Sequence, residues 1–410
     1  MNVYDIRRYQ NLYYILDSTE PNTDNKPHKS EKTLILIYLY YEDMLERWSK
    51  YILQIPTYMT CIVISSNDAI INSIKNDVRF SNVILQKKEN IGRDVSALLV
   101  EAREWVLSAD YVCFVHDKKE HQSDDRTFET DFWVTNMWEN TLASATYIEK
   151  VINVFDSDSN IGVLSIPEPI GFHFDTWAGQ GWYGSFEATK ALAEKLQLNC
   201  EISRNKPPIT IGTALWFRTA SLKKLFLHEW KYSDFNDEKL NDGNYLSYAV
   251  ERIFPYVAQD AGYVTGTVMT LEYAIQQTSI AQSICSVYAN TLSELIGVTS
   301  AYECNCLTEG YDRIREECMN ARRIFLYGAG HYGKVISKYL MVKGHKIFGF
   351  YTTDLPEVDN VNGVEVHHFG EDDIVDDKDL IIITVFSKET QKEIKSVLSS
   401  RKLHYISYWG

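Results

Sequence analysis

Basic residues are in deficit in this chain. Its 41 Lys and Arg residues face 56 Asp and Glu residues, and the formal net charge is −15. A surface this acidic repels the phosphates of nucleic acids and of anionic lipid headgroups. We therefore expect no nucleic-acid partner and no broad membrane-binding surface, although a local basic groove is compatible with this composition.

Cysteines are few and follow no recognised pattern. The chain has 7 of them, at positions 61, 113, 200, 285, 304, 306 and 318. None belongs to a CxxC pair, none has a histidine at zinc-ligand spacing, and the CxC at Cys304–Cys306 is a weak metal or redox signal. Reduced thiols in a cytosolic protein are the simplest interpretation.

Long apolar segments are missing as well. No apolar run approaches the roughly 18 residues that a membrane-spanning helix needs. The N-terminal sequence MNVYDIRRYQNLYYILD lacks the apolar core of a secretion signal. The predicted location is the cytoplasm, and peripheral association with the inner face of the plasma membrane remains open.

Aromatic residues, by contrast, are abundant. They make up 13% of the chain and include 27 Tyr and 9 Trp. Aromatic faces pack on sugar rings while tyrosine hydroxyls bond to their edges, so this composition suits a protein that handles carbohydrate.

The length of 410 residues predicts two compact units joined by a connector. The predicted boundaries are 1–31 for an N-terminal helix and loop, 32–279 for the first unit, 280–320 for a helical connector, and 321–410 for the second unit. The connector could equally pack a homodimer.

The first unit alternates apolar runs with helical spacing. Leu34–Tyr40, Cys61–Ile64, Val83–Leu85 and Tyr111–Val115 are predicted strands. Helical patterns between them predict a parallel, Rossmann-like half of an α/β sheet. Further along the chain, a helix is predicted to end near Pro255, because proline disrupts helix interiors.

Two polar segments follow strands of this half-sheet. Asn90-Ile91-Gly92-Arg93-Asp94 opens a helix, and His116-Asp117-Lys118-Lys119 follows the strand Tyr111–Val115. Both are expected at the carboxyl ends of parallel strands, where open sheets bind ligands. A helix N-terminus beside Arg93 suits a phosphate, so a sugar nucleotide fits. The structural alternative is a loop salt bridge with a solvated charge run.

The second unit carries a glycine fingerprint. Gly328, Gly330 and Gly333 follow a predicted strand, Arg323–Tyr327, and precede a predicted helix. Asp354 lies roughly 20 residues further on, where a ribose-binding acid is expected. Because the unit is short for a dinucleotide-binding domain, we expect a structural, assembly or nucleotide-sensing module and no NAD.

Several motifs in order resemble the rhamnan synthesis protein F family, glycosyltransferases of bacterial rhamnose-containing polysaccharides. The matching stretches are Asn90–Asp94, Val115–Lys119, Gly212–Arg218 and Asp242–Tyr256. They cover roughly residues 34–275, and several motifs in the correct order are more specific than any one alone. The resemblance implies an α/β fold in which a GT-A type Rossmann-like glycosyltransferase domain is followed by a small Rossmann-like domain.

The same resemblance implies a nucleotide-sugar donor and a lipid-linked or growing glycan acceptor. The donor would be a dTDP- or UDP-sugar, with rhamnose as the first candidate. The implied donor-binding residues are Tyr38, Ser65, Asn67, Asn90, Gly92, Arg93, Asp94, His116, Asp117, Lys118 and Lys119. For Ser65 and Asn67, ordinary turn chemistry is the alternative, and for Asp94 it is a helix cap.

Catalysis by an inverting enzyme of this kind needs a base and stabilisation of the departing diphosphate. Asp242 is the expected base, with Glu251 in reserve and Arg252 beside the leaving group. A tight Asp-Gly turn is the alternative for Asp242. The residues expected near the acceptor are His173, Trp177, Trp182, Trp216 and Arg218, and plain core packing is the alternative for Trp216.

A divalent metal, Mg²⁺ or Mn²⁺, is an open question. GT-A enzymes commonly hold one through Asp-x-Asp, and the corresponding turn here has a single carboxylate, Asp117. Hard cations prefer several oxygen ligands. Lys118 and Lys119 could neutralise the diphosphate instead, and we expect metal independence.

Two other functions remain as alternatives. An NAD(P)-dependent sugar-nucleotide oxidoreductase or epimerase would work through the C-terminal glycine loop. A non-catalytic glycan-assembly protein would keep the transferase fold without its chemistry.

Overall fold

A computed structural model describes residues 13–19, 32–119, 127–168, 182–205, 208, 210, 212–235, 245–298, 300–370 and 374–410. Within these ranges the chain divides into a larger unit, which ends at Ala281, and a second unit, which begins at Gln282. The predicted boundary lay between residues 279 and 280.

The larger unit contains eight strands within its described residues. They are β1 Tyr13–Leu16, β2 Thr33–Tyr38, β3 Thr60–Ser65, β4 Val83–Lys87, β5 Tyr111–His116, β6 Ile161–Ser165, β7 Leu215–Arg218 and β8 Val264–Thr270. The helices are α1 Leu45–Ile52, α2 Asp68–Asn76, α3 Arg93–Ser96, α4 Arg103–Ser108, α5 Thr127–Leu142, α6 Ala145–Ser157, α7 Phe186–Lys195, α8 Thr219–Leu227 and α9 Leu246–Asp260. A further helix, α10 Leu271–Ile296, begins in this unit and continues past its end at Ala281. A π-helical stretch, Ala97–Glu101, joins α3 to α4.

The strands form one sheet in the order β1-β8-β6-β7-β5-β2-β3-β4. The half β5-β2-β3-β4 is parallel throughout, as the alternation of apolar runs and helices predicted. β7 runs antiparallel to both of its neighbours. The predicted α/β fold, with a parallel Rossmann-like half, is therefore confirmed for this unit.

Helices cover both faces of this sheet, which explains why β2 is apolar after its first residue, Thr33. All six of its residues are buried. Ile35 and Ile37 pack on one side with α1, α5 and α6, whereas Leu34 and Leu36 pack on the other with α4, α8 and α9. Because successive side chains of a strand face opposite sides, a strand covered twice needs an unbroken apolar run.

The second unit is a smaller α/β layer. Its elements are α11 Ala301–Asn320, β9 Ile324–Tyr327, α12 His331–Val342, β10 Ile347–Thr352, β11 Asn360–Val361, β12 Val364–His368, β13 Leu380–Ile383, α13 Lys388–Ser400 and β14 Tyr405–Ser407. The sheet order is β11-β12-β10-β9-β13-β14, parallel except for β11 with β12. This is the Rossmann-like arrangement predicted.

Helix α11, which was expected within a connector, contributes to the core of the second unit. Leu307, Tyr311 and Ile314 are buried with strand residues of that unit. The glycine fingerprint lies between β9 and α12, as expected. A Cβ on Gly333 would lie 2.0 Å from the carbonyl oxygen of Gly328, so this helix–strand contact requires glycine.

The helix predicted near the N-terminus is wrong for its described part. Tyr13–Leu16 is a strand that pairs with β8 in parallel, with Tyr13 opposite Thr267. Residues 1–12 lie outside the described residues. An edge strand depends on a partner more than 250 residues away in sequence, which local helical spacing does not reveal.

The predicted helix end near Pro255 is also wrong, since α9 continues to Asp260 with Pro255 inside it. Proline has no N–H to donate to the carbonyl four residues earlier, that of Glu251. The hydroxyl of Thr210 donates to this carbonyl instead, at 2.8 Å. Burial of Phe254 and Val257 holds the helix together across the proline.

Candidate functional site

A cleft of about 680 Å³ opens at the carboxyl ends of β2 and β5. Its lining comprises Tyr38, Tyr40, Tyr41, Asn90, Ile91, Gly92, Arg93, Asp94, Val95, His116, Asp117, Lys118, Lys119, Trp133, Gly212, Thr213, Phe235, Ser247, Tyr248 and Glu251. The segments Asn90–Asp94 and His116–Lys119 thus meet in one cavity. They do so because β2 and β5 are parallel neighbours in register, with Tyr38 opposite His116.

Asp117 joins the two strand ends. Its Oδ2 accepts hydrogen bonds from the backbone N–H groups of Tyr40 and Tyr41, at 2.9 and 2.8 Å. Its Oδ1 is buried and has no hydrogen-bond partner among the described residues. Burial raises the pKa of the Asp117 carboxyl to about 6, against the lowering effect of the two backbone hydrogen bonds. The carboxyl group therefore titrates near neutral pH.

His116 connects three segments of the cleft. Its Nδ1 lies 2.8 Å from the carbonyl oxygen of Asp117, and its Nε2 lies 2.9 Å from that of Gly212. The same Nε2 is 3.8 Å from Oδ2 of Asp94. His116 thus ties the end of β5 to the turn before β7 and to the start of α3. The sequence predicted its location but not this connecting role.

Two backbone turns in the left-handed region border the cleft. Gly92 and Arg93 have φ of 69° and 48°, and Gly212 and Thr213 have φ of 88° and 47°. Non-glycine residues rarely adopt this conformation, and such strain concentrates at functional sites. A Cβ on Gly212 would lie 2.5 Å from Cζ2 of Trp133, so glycine is required there sterically as well.

Cationic side chains converge on the cleft from two sides. The guanidinium of Arg93 lies 5.9 Å from the ring centroid of Tyr248. The Nζ of Lys118 lies 4.3 Å from the ring centroid of Trp133. Lys119 forms an ion pair with Asp43. Three positive charges around one cavity suit a polyanionic ligand.

Glu251 borders the cleft, and its carboxylate is hydrogen-bonded and ion-paired within the protein. Oε1 accepts a hydrogen bond from the backbone N–H of Gly212. Oε2 forms an ion pair with NH1 of Arg252 at 2.5 Å, and Arg252 itself is buried. These contacts occupy both oxygens of the Glu251 carboxylate. Arg252 therefore orients Glu251 and is not among the residues that line the cleft.

Three residues expected near the acceptor lie elsewhere. Trp216 is fully buried, and its indole N–H donates to the carbonyl of Thr141 at 3.0 Å. Arg218 pairs across from Tyr111, at the start of β5. Trp182 is buried with its ring stacked on Tyr256.

The direction of β7 explains the first two cases. In an antiparallel strand, the beginning lies at the carboxyl end of its neighbour β5, with Leu215 opposite Phe114. The motif Gly212–Arg218 thus reaches the cleft through Gly212 and Thr213, whereas Trp216 and Arg218 lie further along β7, opposite Cys113 and Tyr111. Knowledge of the direction of β7 would have identified Gly212 and Thr213 as cleft residues.

Ser65 and Asn67 serve the turn after β3. The backbone N–H of Asn67 donates to Oγ of Ser65 at 3.0 Å, and Oδ1 of Asn67 caps α2 by accepting from Ala69 at 2.9 Å. Nδ2 of Asn67 also donates to the carbonyl of Tyr40 at 3.0 Å. They support the cleft wall without lining it. Asp94 is not the N-cap of α3, because this helix begins at Arg93 with Gly92 as its N-cap.

Three predicted residues, Asp242, His173 and Trp177, lie outside the described residues. The sequence analysis did not identify Trp133 and Phe235, which line the cleft. Both belong to elements distant in sequence from the two polar segments, so no local pattern marked them. Within the described ranges, no group of three or more His, Cys, Asp or Glu side chains could hold a metal ion. A search of the same ranges found no helix with the length and apolarity needed to cross a membrane.

Comparisons with known proteins identify the family of the chain. A family model described as rhamnan synthesis protein F matches residues 1–263. A search of curated proteins gave no match. Among solved structures, the chain is similar to a crystal structure of S. aureus TarS 1-349, with 11% identity and a TM-score of 0.29 over 58% of this chain and 57% of that chain.

Proposed function

This chain belongs to the rhamnan synthesis protein F family, and from that membership together with the cleft we propose that it is a glycosyltransferase of polysaccharide synthesis. The proposed donor is a nucleotide-diphosphate sugar, with dTDP-rhamnose as the first candidate and a UDP-sugar as the second. The proposed acceptor is a lipid-linked or growing cell-surface glycan.

The observation that carries this proposal is the meeting of Arg93, Lys118 and Lys119 in one cleft of about 680 Å³. Cavities of roughly 300–1,000 Å³ hold ligands of the size of a nucleotide sugar. We place the diphosphate between Arg93 and the two lysines. Tyr38 and Asn90 at the neighbouring strand ends would contact the nucleoside, and the Asp94 carboxylate would accept from a ribose hydroxyl.

The chemistry proposed is an inverting transfer. The acceptor hydroxyl oxygen bonds to the anomeric carbon of the donor as the bond from that carbon to the diphosphate breaks. The hydroxyl proton passes to a carboxylate base, and the diphosphate leaves with its charge balanced by the cationic side chains. Asp242 remains the proposed base. Glu251 is less suited, because one carboxylate oxygen already accepts the backbone N–H of Gly212 and the other pairs with Arg252.

We propose that transfer proceeds without a divalent metal. Lys118, Lys119 and Arg93 supply positive charge where the diphosphate would leave. Of the Asp117 carboxylate, Oδ2 already accepts two backbone N–H groups. Unchanged activity in the presence of a chelator would support this, and activity restored by Mn²⁺ or Mg²⁺ after chelation would contradict it.

A product assay with the purified chain, candidate donors and a lipid-linked acceptor tests the proposal. Thermal shift against a panel of nucleotide sugars comes first, since a ligand that binds the folded state raises the melting temperature. The variant Asp242→Asn should bind donor normally and lose transfer. If no dTDP- or UDP-sugar stabilises the chain or is consumed, the glycosyltransferase proposal fails.

The oxidoreductase alternative keeps one supporting observation, the glycine fingerprint that turns from β9 into α12. It predicts binding of NAD(P) that Gly330→Trp abolishes. Including NAD⁺ and NADP⁺ in the thermal shift panel separates this function from sugar transfer.

A further inference from the structure

Lys88 is a buried lysine directly before the loop that carries Asn90 and Arg93. Its exposure is 5%, which is rare for this residue type. The Nζ donates hydrogen bonds to the carbonyl oxygens of Glu89, at 2.7 Å, and Ile91, at 3.1 Å. Burying an ammonium group is costly unless its hydrogen bonds are made, so the loop folds around this cation.

Aromatic rings and carboxylates surround this ammonium. It lies 5.2 Å from the ring centroid of Tyr38, which lines the cleft, and 5.8 Å from that of Tyr232. Burial lowers the pKa of Lys88 to about 8, although Asp94, Glu101 and Glu89 act to raise it. Tyr38 and Tyr232 have pKa values raised above their usual range by burial, so they keep their protons near pH 8.

The two hydrogen bonds fix the direction of the loop peptides. In a trans peptide the N–H points opposite to the preceding C=O. With the carbonyls of Glu89 and Ile91 turned toward Lys88, the N–H groups of Asn90 and Gly92 point away from it. The left-handed turn at Gly92 and Arg93 comes next, and its strain has to be offset by contacts of this kind.

We infer that Lys88 is a positioning residue for the donor, which acts by holding the loop from Glu89 to Arg93 in the shape that lines the cleft. This inference rests on the proposed function only in naming the ligand as a nucleotide sugar. The loop itself contains no strand and no helix before Arg93. Lys88 therefore supplies the fixed geometry that regular secondary structure gives elsewhere.

The test compares Lys88→Met with Lys87→Met in the full chain. Lys87 is the matched control, because it is adjacent in sequence, its side chain is more than half exposed, and its ammonium group pairs with Asp68 at the surface. The affinities for dTDP-rhamnose and UDP-glucose are measured by calorimetry. We expect Lys88→Met to weaken donor binding roughly tenfold to a hundredfold, and Lys87→Met to stay within about twofold of the parent chain.

Two further measurements separate positioning from a general loss of stability. Hydrogen exchange of the amides of residues 89–95 should accelerate in Lys88→Met, while exchange in the β2 and β5 strands stays unchanged. Donor affinity of the parent chain should fall between pH 7 and pH 9 as the buried amine loses its proton. The same pH profile in Lys88→Met should be flat over this range.

The outcomes are distinguishable. If the parent chain binds no nucleotide sugar, the proposed function fails, and hydrogen exchange alone decides the role of Lys88. If Lys88→Met binds donor as tightly as the parent and exchanges equally in the loop, the inference is overturned. If Lys88→Met does not fold, the pH profile of the parent chain decides. A donor affinity that does not change up to pH 9 also overturns the inference.

Discussion

Replacing Asp117 with asparagine should change how the stability of the larger unit depends on pH. The carboxyl group has an ordinary pKa of 3.8 in the unfolded chain and a pKa raised to about 6 in the folded chain, because it is buried. The folded state therefore binds this proton more tightly than the unfolded state between these values. Ionisation of Asp117 therefore destabilises the folded state. This destabilisation is absent below pH 4 and fully present above pH 7.

The magnitude follows from the two pKa values. A tenfold difference in a proton-binding constant is worth about 1.4 kcal/mol, so the parent loses about 2 to 3 kcal/mol of stability relative to Asp117→Asn between pH 4 and pH 8. The variant keeps an oxygen for the N–H groups of Tyr40 and Tyr41. Its buried amide adds a cost of about 1 kcal/mol that is the same at every pH.

The assay is urea denaturation of both proteins from pH 4 to pH 8, followed by tryptophan fluorescence. Of the 9 tryptophans, only Trp409 lies beyond residue 281, so the signal reports mainly on the larger unit. Asp68→Asn is the control, because the Asp68 carboxylate is exposed. A free-energy difference between parent and Asp117→Asn that stays constant with pH, or changes with the opposite sign, would refute the reasoning.

Three further predictions concern other parts of the chain. Gly212→Ala should destabilise the larger unit by about 3 kcal/mol in urea denaturation, because of both the left-handed φ and a steric clash. The control Gly262→Ala has a similar φ and open space around it, so it should cost only about 1 kcal/mol. Equal losses of stability in the two variants would contradict this prediction. Asp379→Asn should cost the second unit about 3 kcal/mol at pH 7: burial alone would raise the pKa of this carboxyl, but hydrogen bonds, those of Arg323 foremost, lower it. Thermal melting at several pH values should show this loss of stability shrinking as the pH falls below about 4. A loss that does not depend on pH would contradict a stabilising ion pair between Asp379 and Arg323. Arg93→Met should weaken nucleotide-sugar binding by at least about tenfold in calorimetry, whereas parent-like affinity would remove the diphosphate from its proposed place.

Much of the candidate site was predictable because its two main segments are local to their strands. The apolar runs at β2 and β5 marked buried parallel strands, and the polar residues after each strand had to meet at the same sheet edge. Asn90, Arg93, His116 and Lys118 could be located in this way. Their contacts could not, since a side chain such as His116 bonds to Gly212, which is distant in sequence.

The errors share one physical origin, namely dependence on partners far along the chain. The strand Tyr13–Leu16 exists because β8 offers an edge. α9 passes through Pro255 because Thr210 takes over the carbonyl that proline leaves without a donor. The role of Lys88 depends on the burial that Tyr38 and Tyr232 create around it.

The sequence by itself determined the periodicity of strands and helices, the α/β class and the order of the polar motifs, since each of these is set by neighbouring residues. Only the tertiary structure decided which end of the antiparallel strand β7 faces the cleft, and hence that Gly212 and Thr213 border it while Trp216 and Arg218 do not. Strand direction is fixed by pairing across the sheet, and a motif read along the chain carries no record of it.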